Sequence, residues 1–403
     1  MLTAYRPVLT APNVWPFVLG GLLARTGGAM FGVAVIVMLS QRRGSYTLAG
    51  AVSAVGILVL AIAGPFIGRL ADKYGQRRAA LPFVLLSVTG AIVTVYLSAE
   101  MAPIGAVFAA YAISAITPEL GPMSRARWAH IFRDRPDRLH TAMSFEQVLD
   151  EGAFVLGPVL AVLLSTTWFP EAGLLGASIL FGVGMVTFLF ARRTEPPVTA
   201  REHRPAGLAI RHAGLLPVAG VLVMTGIIFG ANEVVAVAVA DEAGRPRMSS
   251  VILAAFALGS TVAGLIFGAI TFRMSLTRRL LYAATGMFVL EAPALVVGEL
   301  WDLWGLVLVM LVAGCATAPM LITAMSLSQH LVPRALMTEG MAIAVTGILI
   351  GISFGAAVGG IAVDYLGAHT AYVVPVGAGL FAVLLAGVRY RPLLRAEQAA
   401  QRA

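Results

Sequence analysis

Charge is what this chain has least of. Asp, Glu, Lys and Arg together make up 12% of its 403 residues, about half the share that a soluble domain carries. Hydrophobic residues make up 59%, and the mean hydropathy is +0.89. Such a chain cannot cover itself with a water-facing surface, so its solvent is the bilayer. Cysteine is almost absent: Cys315 stands alone, which excludes an internal disulfide, dithiol redox chemistry and a cysteine-held metal. Set in an apolar stretch, it reads as a small packing residue. The six histidines are scattered without metal-ligating spacing, and no nucleotide-binding loop is present. Catalysis therefore has no candidate residues, and no cofactor or metal is implied. A net charge of +8 raises the question of nucleic acid, but no basic run interleaved with aromatics accompanies it. Nucleic acid is excluded as a partner, and the charge is assigned to loops flanking the membrane. The first apolar run, after Arg6 and Asn13, is too long for a signal peptide and lacks a small-residue cleavage site, so it is expected to remain in the chain.

What the chain does have is long apolar runs. A helix needs about 20 apolar residues to cross a bilayer, and twelve runs qualify, near 14–39, 46–67, 79–98, 102–122, 141–165, 172–191, 213–238, 249–272, 280–298, 303–326, 338–363 and 368–389. An even number puts both termini on one side. Of the 28 Lys and Arg, only Arg42, Arg43, Arg245 and Arg247 fall outside when the N-terminus is inside; Arg25 lies within the first span, and the other 23 are cytoplasmic. The charge bias thus predicts a multi-pass protein of the cell inner membrane with both termini in the cytoplasm.

Between the second and third spans lies Gly64-Pro-Phe-Ile-Gly-Arg-Leu-Ala-Asp-Lys-Tyr-Gly-Gln-Arg-Arg78. Gly64 and Gly68 permit close helix approach, Asp72 supplies a fixed anion, Gly75 permits a tight turn, and Arg77 and Arg78 hold the turn inside. Six positions (Gly68, Asp72, Lys73, Gly75, Arg77 and Arg78) match the signature loop of the major facilitator superfamily, and the chain resembles that family. The pattern Gly264-Leu-Ile-Phe-Gly268 with Arg278 and Arg279 repeats it 200 residues later in decayed form, Phe272 standing for Asp72 and Ser275 for Gly75. The resemblance implies an all-α membrane protein with twelve transmembrane helices in two pseudo-symmetric six-helix bundles around a central cavity. The expected division is 1–191 for the first bundle, 192–212 for a cytoplasmic linker, 213–390 for the second bundle and 391–403 for a cytoplasmic tail. The basic linker is read as solvated, with contact to anionic lipid as the alternative.

Ionisable residues inside the spans are costly and call for a reason. Arg25 lies mid-way along the first span, and Asp150 and Glu151 at matching depth in the fifth, so an ion pair between these helices is geometrically sound. Glu146 shares a helical face with Asp150, while Glu151 lies about 100° round. One reading is a neutral cluster that only holds the bundle. The other is proton coupling, since burial raises a carboxyl pKa and a nearby arginine lowers it. In that reading Asp150 is the first candidate carrier and Glu151 the second, Arg25 tunes them, and Glu146 guards the cytoplasmic mouth. Glu233 and Glu291 are weaker candidates, and the peripheral place that the resemblance gives the ninth span favours a packing role for Glu291.

Gly152, Gly157 and Pro158 in the fifth span resemble, in part, a signature of proton-driven exporters in this family, where a kink brings the helix against the opposing bundle. Ala161 departs from it, and the fourth span lacks the arginine usual in such exporters; Arg125 and Arg127 are placed in the loop beyond it. Asp72 is expected to gate, capping the helix that starts near Thr338 and Glu339, with Arg77 and Arg127 completing the cluster. The resemblance makes the first, fourth, seventh and tenth spans line the cavity, which offers Met30, Phe31, Tyr111, Phe229, Asn232, Glu233, Met310, Met320 and Thr323. These are mostly apolar and suit an amphipathic organic molecule. The expected function is proton-coupled efflux of a small drug-like or metabolite substrate by a monomer in the lipid bilayer, partnered by protons. The alternatives are an importer or uniporter of an organic anion held by Arg25, and, in another class, a membrane-embedded receptor.

Overall fold

The computed structural model describes residues 8, 10–198, 214–270, 273–300, 302–332 and 337–402. Among them every regular element is helical. Eleven helical stretches are long and apolar enough to cross a membrane, and a shorter apolar helix, Ile104–Ser114, stands at the place of the fourth expected span. The chain divides into two compact units, Met1–Arg43 with Val59–Glu202, and Gly44–Leu58 with His203–Ala403.

The first unit is built from α1 (Val14–Arg43), the inner part of α2 (Tyr46–Tyr74), α3 (Gln76–Ala99), α4 (Ile104–Ser114), α5 (Leu120–Ile131), α6 (Pro136–Thr167) and α7 (Ala172–Phe190). Small residues set how near the backbones come. A Cβ on Gly184 of α7 would lie 2.3 Å from the Ala24 nitrogen of α1, a separation that only glycine permits. Gly157 of α6 serves the same end, since its Cβ would lie 2.6 Å from that of Ala29. This close contact of the Gly157-Pro158 step is with α1 inside this unit. Gly152 and Gly68 approach nothing within 4 Å among the described residues. Two arginines expected outside are accounted for: Arg42 is bidentate on Glu171 at 2.6 and 3.0 Å, and Arg43 donates to the Ala102 carbonyl.

The fourth span departs from expectation. The apolar run at 102–122 is not one helix: α4 ends at Ser114, and α5 begins only at Leu120. Pro118 disfavours helical backbone at Thr117, and Glu119 is extended. Beyond the break the chain is helical again, so Arg125 and Arg127 stand on α5, not in a loop.

The second unit contains α8 (Leu215–Glu242), α9 (Met248–Ala269), α10 (Leu276–Glu291), α11 (Ala294–Leu300), α12 (Leu303–Gly314), α13 (Thr317–His330), α14 (Met337–Leu366), α15 (Val373–Val388) and α16 (Tyr390–Arg402). Its core runs through Leu222, Ile228, Leu280, Met287, Met320 and Ala382. Here too glycines bring two helices together: a Cβ on Gly230 of α8 would lie 2.0 Å from the Ile352 carbonyl of α14. The outer end of α2 belongs to this unit. Asp364, at the end of α14, accepts from the Tyr46 and Thr47 amides at 3.0 and 2.8 Å and from the Ser45 hydroxyl at 2.9 Å. The two amides belong to the first turn of α2, a place that a carboxylate suits well.

The segment after the last span, expected to be a plain tail, forms α16 and is anchored. Glu397 is 2% exposed and accepts from the Leu276 and Thr277 amides and the Thr277 hydroxyl at 2.7–3.0 Å. Ser275, which replaces Gly75 in the decayed repeat, caps the same helix through the Arg278 amide. In the first unit Glu195 accepts from the Arg77 amide at 3.0 Å. An acid following the last apolar span of each half thus caps the helix that follows the signature turn or its decayed copy. We expect Glu397→Ala to cost about 1–2 kcal/mol, read as a lower thermal unfolding midpoint in detergent. An unchanged midpoint would mean that α16 does not hold α10.

Candidate functional site

The buried charges of the first unit converge. Arg25 is 9% exposed mid-way along α1. Its Nη2 pairs with Glu146 Oε2, and its Nε donates to Asp150 Oδ1 at 2.5 Å. The two acids sit four residues apart on α6, one helical turn, so both carboxylates face α1 together. The resumed helix α5 closes the cluster from a third side: Ser124 Oγ and Trp128 Nε1 donate to Glu146 Oε1 at 2.7 and 2.6 Å, and Arg125 Nη2 donates to Asp150 Oδ2 at 2.9 Å. Trp128 is itself fixed by an edge-on contact with Phe17 and a stacked one with Phe132.

The two acids differ in their surroundings. Glu146, expected to guard the cytoplasmic mouth, is fully buried and bound by three donors. Its charge is held by the fold. Asp150 is 20% exposed at the side chain and joins two guanidinium groups, one buried on α1 and one 43% exposed on α5. Two cations balance two anions, as burial requires. Protonating Asp150 would leave Arg25 with Glu146 and free Arg125 toward water. Among the described residues Arg25 Nη1 is buried without a hydrogen-bond partner, beside Gly21, where a Cβ would lie 2.8 Å away. The side chain of Glu151 lies outside the described residues.

At the signature loop, Gly75 has φ +88°, the left-handed backbone that glycine adopts without penalty. Asp72, Lys73 and Arg78 are exposed, with Lys73 over the Tyr74 ring. Arg77 stacks on Phe190 with its guanidinium 4.4 Å from the ring centroid. A cavity of about 300 Å³ opens here between Asp72, Gln76, His130 and Pro196–Val198. Among the described residues Asp72 makes no ion pair, and the side chains of Thr338 and Glu339, its expected partners, lie outside them. Arg127 does not join it. It is buried, bonded to Gln76, the Ala191 carbonyl and Thr194, and laid over Phe188. Burial lowers its guanidinium to about 10, opposed by the charge of Glu195.

The expected cavity residues are less uniform than their sequence positions suggest. Met320 belongs to the core of the second unit, and Met30 and Met310 are fully buried. Tyr111 is buried with its hydroxyl on the Phe31 carbonyl. Asn232 and Thr323 are buried, while Phe31, Phe229 and Glu233 keep partial exposure. Phe31 and Phe229 make edge-on contacts with Phe181 and Phe256.

Comparison with known proteins agrees with this architecture. The sequence pattern of the Major Facilitator Superfamily matches residues 17–339. The macrolide efflux protein A of Streptococcus pyogenes is 24% identical over 153 residues, and the match spans 35% of this chain and 35% of that relative. Among solved structures, a bacterial homologue of the iron transporter ferroportin superposes with a TM-score of 0.71 at 16% identity, covering 93% of this chain and 97% of that one. A peptide transporter of the POT family bound to sulfate gives 0.72 at 14% identity over 97% and 95%. A nucleoside transporter gives 0.68 at 17% identity over 95% and 98%. At these identities the structures share the fold with this chain, while their substrates remain their own.

Proposed function

The chain belongs to the Major Facilitator Superfamily, a family of membrane transporters, and from that premise we propose that it exports a small amphipathic compound in exchange for protons. The observation that carries the proposal is the Arg25–Asp150–Arg125 bridge. It is a carboxylate at the edge of a buried ion cluster, open enough to exchange a proton and tied to guanidinium groups on two other helices. Proton binding there changes which helices α6 is bonded to, and this is the differential interaction that a coupled conformational change requires. The fully held Glu146 keeps the cluster from losing both anions at once. Export, and the choice of a small amphipathic compound, draw support from the partial likeness to a macrolide efflux protein and from the apolar candidates on the cavity-lining spans. The protein is placed in the cell inner membrane as a monomer with both termini cytoplasmic, the side set by its positive loops.

A second reading has one specific observation in its favour. The buried Nη1 of Arg25, without a partner among the described residues, is a donor that an organic anion could accept from, which suits import or uniport. Uptake of radiolabelled erythromycin into inside-out vesicles separates the readings. The exchange account predicts accumulation when the lumen is acid and its collapse on adding a protonophore. Accumulation that follows an anion gradient and ignores the protonophore would favour the second.

A further inference from the structure

The second unit holds a buried carboxylate that the Arg25 cluster does not use. Glu291, the last residue of α10, is 2% exposed. Its Oε1 accepts from Asn232 Nδ2 of α8 at 2.8 Å, and among the described residues it makes no ion pair. Asn232 is 3% exposed, and its Oδ1 has no hydrogen-bond partner among the described residues. Among the described residues a carboxylate without an ion pair thus meets an amide whose oxygen is orphaned, inside apolar protein. Buried polar groups are ordinarily satisfied, and an exception asks for an explanation.

The explanation lies in what each group does when a proton arrives. An ionised carboxylate can only accept, and Asn232 donates to it as observed. A protonated carboxyl is also a donor, and an amide rotated by half a turn presents Oδ1 to receive that proton. Asn232 can therefore serve both states of Glu291. We propose that Glu291 and Asn232 form a proton-binding site in the second unit, separate from the Arg25 cluster. Its use in transport rests on the exchange mechanism proposed above, whereas proton binding itself does not.

The surroundings favour a proton over a metal cation. Of the elements packed on α10, α15 and α12 carry no titratable side chain. The one such group on α13 is His330 at its far end. Those of α16 (Tyr390, Arg391, Arg395, Glu397 and Arg402) adjoin the start of α10, as do Arg278, Arg279 and Tyr282 of α10 itself. That start is about 22 Å from Glu291 along the helix. On α8, Glu233 lies about 100° round from Asn232, and Asp241 and Glu242 are more than two turns further out. Among the described residues no second acid faces Glu291, so they do not offer the several charged oxygens that a divalent ion needs, and no metal-holding group is found among them.

The test is an infrared pH titration of the purified full-length protein in detergent, which needs neither substrate nor transport. The proposal predicts a protonated-carboxyl C=O band that titrates, is lost in Glu291→Gln and is kept in Asp150→Asn. Asn232→Ala keeps the band but moves it to higher frequency, because the carboxyl loses its amide partner; this shift decides the matter should Glu291→Gln fail to fold. Absence of the band from the wild type, its persistence in Glu291→Gln, or an unmoved band in Asn232→Ala would overturn the proposal. A titration displaced by sodium but not by choline at equal ionic strength would overturn it in favour of a cation site. If the band behaves as predicted while vesicle transport ignores protons, the exchange mechanism fails and the site stands.

Discussion

Asp150→Asn is expected to abolish transport driven by a pH gradient while leaving membrane insertion and substrate counterflow in place. The asparagine keeps the shape of the carboxylate and one acceptor oxygen, so Arg25 retains a partner besides Glu146, and Arg125, 43% exposed at its side chain, can turn to water. What is lost is the group whose charge changes. Coupling between two ligands of one protein is typically 1–3 kcal/mol, so gradient-driven accumulation should fall by roughly 5–150-fold toward the uncoupled level. Reconstituted vesicles assayed with and without an imposed pH gradient read this directly. Glu151→Gln, measured in parallel, decides between neighbouring acids. Full gradient-driven accumulation by Asp150→Asn would remove that residue from the coupling mechanism.

The second large effect concerns Arg25. Replacing it alone by Gln leaves Glu146, fully buried and held by Ser124 and Trp128, without its cation. Breaking a buried pair from one side costs about 3–5 kcal/mol. Replacing the whole cluster (Arg25→Gln, Glu146→Gln and Asp150→Asn) removes the charges together, and paired buried charges are often no better than neutral packing. The single variant should therefore be much less stable in detergent than the triple one, and the triple variant should keep its fold while losing proton coupling. A triple variant as unstable as the single one would mean that Arg25 is needed for packing beyond neutralisation. Binding also separates the two functional readings. If Arg25 Nη1 holds an anionic substrate, Arg25→Gln weakens binding of the anion far more than of a neutral analogue.

The membrane fold was legible because hydrocarbon leaves the sequence few options: long apolar runs must be helices, and their flanking arginines orient them. The meeting of Arg25 with Asp150 was legible for a related reason, since ionised groups at equal depth in neighbouring helices can hardly avoid each other. The third side of the cluster was not legible. Ser124, Arg125 and Trp128 follow an apolar run whose helix breaks near Pro118, and nothing in the run itself signals that helix resumes at Leu120. The spacing of Ser124 and Trp128, one turn apart, was the available clue. Glu195 and Glu397 were hidden by their setting, because an acid in a polar linker or tail reads as solvated until the helix end that it caps is seen. Gly68 errs the other way: a motif position expected to bring helices together faces open space among the described residues.

The central claim is that substrate and proton compete through one rearranging cluster, and proton release on substrate binding tests it most directly. Erythromycin, or the best substrate found by vesicle uptake, is added to the purified protein in weakly buffered detergent, and the pH change is followed with an indicator dye. The account predicts that saturating substrate releases protons from the wild type and that Asp150→Asn binds substrate without this release. Binding to the wild type with no proton released at any pH where the protein is folded, or equal release from Asp150→Asn, would contradict it.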